Sequence, residues 1–294
     1  MFLPDKFNVI QEYLYKIGGP ILILLGTVSC LISLCVFTKK NFRKNPCSIY
    51  LISINIVNLL HIYCTILFAT LASGYNIRIA LYNIFLCRLL FYLNFLFDIL
   101  GPCYLILLSI DRLLISSSSA TVRGLSTHKL AYRSILIVTL FWILFHIHAF
   151  LFTKVIDLNE NEEICYFQKG LYTIIVGYYI LITKGLLIPF LLTLFGIFTL
   201  RNIRRLNLTK SKDRQFQLIL LIEIIIHISF TIILSILIIY QQISAQFNPN
   251  QQQMEIRIYT RIIARFLTHI PFCISCCEYL LVSDTFRTEL KNLM

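Results

Sequence analysis

Twenty residues, 18–37, pass without one charged side chain. A second charge-free run covers 45–77, and 89–110 is broken only by Asp98. Four more follow: 134–153; 170–200 with Lys184; 216–244 with Glu223; and 262–283 with Arg265 near its start and Glu278 near its end. An α-helix crosses the hydrocarbon layer in about 20 residues, and it satisfies every backbone polar group internally, as lipid requires. Strands of a membrane barrel would be about half this length and would alternate in polarity. The pattern predicts an all-α membrane protein, a seven-transmembrane helix bundle forming a single domain over 1–294. The second run exceeds one crossing, so part of it is expected as loop. Composition agrees: 58% of the 294 residues are hydrophobic and 14% charged, too little polar surface to coat a water-soluble chain of 34.3 kDa. Ten cysteines over this length are too sparse for a disulfide scaffold.

Cytoplasmic loops are enriched in Lys and Arg. Such residues cluster after the first, third, fifth and seventh runs: Lys39 to Lys44, Arg112 to Arg133, Arg201 to Arg214, and Arg287 with Lys291. The opposite side holds seven acids against four on this one, four of the seven within Asp157 to Glu163. This predicts a multi-pass plasma-membrane protein with residues 1–17 extracellular and 284–294 a cytoplasmic helix. The net charge of +12 then serves anionic inner-leaflet lipid and a cytoplasmic partner. Its division among short loops argues against nucleic acid. Residues 1–17 lack the apolar centre of a signal peptide. The sequon at Asn207 falls on the predicted cytoplasmic side and is expected to stay unmodified. Absence of an internal repeat weakens a transporter reading.

Cys87 opens the third run and Cys165 lies in the outer loop before the fifth, both facing an oxidising compartment, so a disulfide between them is expected. Asp111 and Arg112 stand together at the inner end of the third run. They either pair to set helix depth, or the arginine is released to a partner. Twenty-three residues separate Cys87 from Asp111. Trp142 lies in the fourth run, Pro189 in the fifth, and Tyr279 seven residues before Phe286. In these features the chain resembles the rhodopsin-like G-protein-coupled receptors. The stretch from Arg43 to Leu51 is similar to the first inner loop of invertebrate FMRFamide-type peptide receptors. The resemblance implies an extracellular ligand, a peptide, a heterotrimeric G protein as partner, and a short amphipathic eighth helix. It also implies an activation switch of Asp111, Arg112, Asp213 and Tyr279, with Arg112 shared between Asp111 and Asp213 at rest.

Departures from that family are informative. Cys30, Asn58, Gly101 and Ser275 stand where the family carries asparagine, aspartate, serine and asparagine. The last three positions coordinate sodium in the family, and none is a carboxylate here, so little sodium effect is expected. The stretch from Ser275 to Tyr279 replaces the family's Asn-Pro-x-x-Tyr, and the sixth run has no Trp-x-Pro. Asn94 at the amine-binding position and His269 at the retinal position argue against an aminergic receptor and an opsin.

Charges inside the apolar runs are costly and therefore candidate sites. Asp98 lies one turn inward of Asn94, and Lys184 lies on the fifth run, so an Asp98–Lys184 pair is expected to close a pocket floor or simply to join two helices. Arg257, Arg261 and Arg265 share one helical face at the outer end of the seventh run. They offer a seat for an acidic group, or else snorkel or pair with Glu160, Glu162 and Glu163. His146, His148, His227 and His269 read as hydrogen-bonded packing residues. The candidate ligand pocket is Asn94, Asp98, Lys184, Arg261, Arg265 and His269. No nucleophile–base set, phosphate loop or metal cluster is evident, so neither an enzyme nor a cofactor is expected. Two alternatives stand beside a peptide receptor: a divergent chemosensory receptor, and a transporter or channel using Asp98, Lys184, Glu223 and Glu278 as an ion path.

Overall fold

The computed structural model describes residues 9–117, 119–159, 162–167, 170–206, 211–244, 260 and 262–292. Among the described residues six helices are long and apolar enough to span a bilayer: α1 (Val9–Phe37), α2 (Cys47–Gly74), α3 (Ile84–Ile115), α4 (His128–Phe152), α5 (Leu171–Phe198, continuing to Leu206) and α6 (Ser211–Ser244, apolar over Gln217–Leu237). A bent pair, α7 (Ile262–Cys273 and Ser275–Val282), turns by 51° at Ile274. A final helix, α8, covers Asp284–Lys291. Leu24, Ile137, Leu144, Ile174, Phe190 and Ile225 lie exposed on the rim of the bundle. An apolar belt of this extent is stable in lipid and not in water, so the chain is a helical multi-pass membrane protein.

α1 begins nine residues before the run that marks it, at Val9. Its charged first turns close on themselves through Lys16 Nζ to Glu12 Oε1 at 3.3 Å, one helical turn apart. α2 is helical for 28 residues, so the loop expected in the second run is confined to its edges. Proline explains the irregularities of two helices. Pro20 and Pro189 lack an N–H and crowd the carbonyl four residues earlier. Each is preceded by a widened π-turn, Leu14–Gly18 and Leu181–Leu187, that relieves the crowding.

α3 is the central element, with 61% of its apolar window buried, against 11% for the peripheral α4. Asn83 caps it, its side-chain oxygen accepting from Phe85 N at 2.8 Å. Between α4 and α5 the chain makes an antiparallel hairpin, β1 (Thr153–Asn159) with β2 (Glu162–Phe167), pairing Val155 with Cys165. A Cys87–Cys165 disulfide ties β2 to the first turn of α3. At the opposite end of the bundle Phe286 of α8 is fully buried against Phe37 and Tyr279, ring centroids 5.5 Å from each. The two ends of the bundle are called here the disulfide end and the Arg112 end.

Candidate functional site

At the disulfide end a cavity of about 220 Å³ opens between α3, α5, α6 and α7. Asn94, Asp98, Lys184, Arg265 and His269 all line it. Lys184 Nζ, carried on the π-turn of α5, donates to Asp98 Oδ2 and stands 5.6 Å over the Phe95 ring. His269 reaches away from the cavity to His61, Nδ1 to Nε2 at 3.2 Å, and His61 stacks on Phe272 at 4.1 Å. Arg257, Arg261 and Glu160 lie outside the described residues, as do the side chains of Glu162 and Glu163. Phe91 also borders a larger vestibule of about 710 Å³, walled by Gln11, Glu12 and Lys16 of α1, the α2–α3 connection and Cys165. That vestibule was invisible in the sequence, because its near wall is the part of α1 that precedes the apolar run.

A second, much smaller cavity of about 20 Å³ lies between α2, α3, α6 and α7. Asn58, Gly101 and Ser275 line it. The absence of a carboxylate at those three positions is offset from elsewhere: Glu223 of α6 and Glu278 of α7 face the same space. The expected indifference to sodium therefore loses its premise. Asn58 Nδ2 donates to Ser275 Oγ at 3.2 Å. Tyr279 Oη donates to Glu223 Oε1 at 2.5 Å and accepts from Asn55 Nδ2 at 3.3 Å. Both glutamates were legible as interruptions of apolar runs. Their meeting was not, since α6 carries no motif that fixes its rotation.

At the other end Asp111 and Arg112 are both enclosed, 2% and 1% exposed, rather than held at an open boundary. Arg112 Nη2 donates to Asp111 Oδ2 at 3.4 Å and to Asn45 Oδ1 at 2.9 Å. Asp111 also accepts from Ser126 Oγ at 2.6 Å and Cys47 Sγ at 3.2 Å. Asn45 was legible only as part of the Arg43–Leu51 stretch, which did not mark it as a partner of Arg112. The side chain of Asp213 lies outside the described residues. Among the histidines, His146 Nε2 bonds Tyr179 Oη at 2.9 Å and His148 Nδ1 bonds Tyr172 Oη at 2.7 Å, joining α4 to α5. Among the described residues no three His, Cys, Asp or Glu side chains are grouped to hold a metal ion.

Compared with known proteins, the chain matches no family profile and no curated protein.

Proposed function

We propose that this chain is a rhodopsin-like seven-helix receptor of the plasma membrane, binding an extracellular peptide at the disulfide end and a heterotrimeric G protein at the Arg112 end. One observation carries the reading: α3 borders a polar cavity at one end and a closed arginine cluster at the other. The cavity of about 220 Å³ accepts only the tip of a ligand, while the vestibule beyond Phe91 has room for a longer chain. That combination fits an extended peptide better than a compact molecule. The Asp111–Arg112–Asn45 cluster holds the arginine away from a partner, so two arrangements of the bundle differ in whether it is released. The bent α7 serves as the seventh span and α8 as the amphipathic helix on the inner leaflet. Basic residues flanking the Arg112 end support assigning it to the cytoplasmic side.

The test uses the full chain in lipid nanodiscs with added heterotrimeric G protein, screened against a peptide library for nucleotide exchange. Activation by peptides supports the reading, and activation only by small odorants favours the chemosensory alternative. A transporter is favoured by the polar groups placed at two levels of the bundle, Asp98 with Lys184 and Glu223 with Glu278. Ligand-independent ion flux in liposomes, without nucleotide exchange, would replace our reading with that one.

A further inference from the structure

The cavity between α3, α5, α6 and α7 carries a positive charge that nothing around it answers. Lys184 is already committed, its Nζ donating to Asp98. Arg265, on the α7 wall, is exposed, and among the described residues its guanidinium has no hydrogen-bond or ion-pair partner. Only its backbone is engaged, the carbonyl accepting from Thr268 Oγ1 at 2.7 Å. Asn94 lies one turn outward of Asp98 on α3, and its side-chain amide, unpartnered among the described residues, lines the same space. Phe91, Phe95 and Phe167 supply an apolar wall, with ring centroids 5.3 Å (Phe91–Phe167) and 5.5 Å (Phe95–Phe167) apart.

Phe91 also borders the vestibule, so the two spaces meet at its ring. In the vestibule Glu12 is bonded to Lys16 at 3.3 Å, and Arg78 adds positive charge. Among the described residues lining the two spaces, Lys16, Arg78, Lys184 and Arg265 thus face only Glu12 and Asp98. Walls of one prevailing sign draw in the opposite charge before contact is made. A peptide entering by its ammonium end would bring a further cation to Arg265, while Asp98 is occupied by Lys184. A neutral amide end would leave the guanidinium without counter-charge in a space that the ligand has emptied of water. A carboxylate presents two parallel acceptors to the fork of Arg265. Asn94 then stands ready to bond the last peptide unit.

We infer that this cavity takes a carboxylate carried next to an aromatic or branched apolar group, presented by a peptide that enters with its free C-terminal end first. Arg265 binds the carboxylate, Asn94 the last amide, and the three rings the last side chain. Lys184 stays with Asp98. That the carboxylate belongs to a peptide rests on the receptor reading above; the carboxylate seat itself does not.

The test titrates the purified full chain in nanodiscs with two kinds of probe. One is hydrocinnamate against its amide; the other is a set of N-acetylated tripeptides ending in phenylalanine or leucine, each as free acid and as C-terminal amide. Binding is read by calorimetry and thermal shift, and nucleotide exchange on added G protein is followed in parallel. Each acid should bind at least about tenfold more tightly than its amide, the factor expected of one hydrogen bond to a charged group. Arg265→Gln should remove that preference, and Arg265→Lys should keep part of it. Both substitutions fall at an exposed position, and the thermal scans report their folding directly. Selective binding of acids without nucleotide exchange by any probe would uphold the seat and remove the receptor reading. A preference confined to hydrocinnamate would overturn the peptide and leave a free organic acid as the ligand. Equal affinity of acid and amide, no binding by either, or a preference that survives Arg265→Gln would overturn the seat, and exchange driven by the amides would then leave the receptor reading standing.

Discussion

Lys184 illustrates how one side chain can be worth more to a membrane bundle than its bond suggests. Its side chain is 15% exposed and that of Asp98 30%, so each shields a charge from an environment that solvates charges poorly. Removing one partner of a buried pair strands the other, at a cost of about 3–5 kcal/mol, while removing both is close to neutral. The residual exposure of Asp98 places this pair near the low end. Lys184→Met should therefore lower thermal stability by about 3 kcal/mol, and adding Asp98→Asn should restore most of the loss. Equal stability of the single variant and the parent would show that the pair is well hydrated. The two members were legible from sequence because a charge inside an apolar run has few places to go. Asn45 and the Glu223–Glu278 meeting were not, since each depends on the rotation of a helix or the path of a loop.

At the scale of elements, the spans follow directly from apolar length, whereas their irregularities follow from where backbone bonding fails. The break in α7 falls at Ile274, just after Pro271, and α1 repairs it. Ser29 Oγ accepts from Cys276 N at 2.7 Å, and the Cys30 thiol lies 4.0 Å from Phe272 O. A buried N–H left without a partner costs about 1–3 kcal/mol. Ser29→Ala should destabilise the full chain by that order, with faster amide hydrogen exchange at Cys276 and not along α4. Uniform change across all helices would point to a general loosening instead. Gly74 makes a second close approach, since a Cβ there would lie 2.7 Å from Lys16 N. Gly74→Val should accordingly displace the first turns of α1 and open the vestibule, measurable as accessibility of a cysteine introduced at Gln11. The β1–β2 hairpin gave no such signal. Its acidic stretch reads as loop, and pairing of Val155 with Cys165 is stabilised by the disulfide to α3 rather than by apolar alternation.

For the whole molecule the central question is what keeps the Arg112 end closed while the disulfide end stays open. Phe37, Leu51, Leu192, Leu220, Tyr279 and Phe286 are almost wholly buried in one core that draws α1, α2, α5, α6, α7 and α8 together. Such a core has discrete arrangements rather than a continuous range, because close-packed side chains resist gradual displacement. The arginine cluster sits within this shell, so its bonds bias the choice between arrangements. Asn45 is the informative member, since its side-chain oxygen accepts from Arg112 Nη2 at 2.9 Å and from Cys47 N at 3.1 Å, tying the arginine to the start of α2. A hydrogen bond to a charged group contributes about 1.5–3 kcal/mol. If even half of that favours the closed arrangement, its loss raises the open population about three- to tenfold, as 1.4 kcal/mol is a factor of ten. Under the receptor reading, Asn45→Ala should raise ligand-free nucleotide exchange by that factor at matched expression, and Arg112→Ala should abolish the rise while leaving peptide binding intact. Asn45→Ala exchange equal to the parent, with Arg112 still essential for activation, would place the latch elsewhere in the cluster.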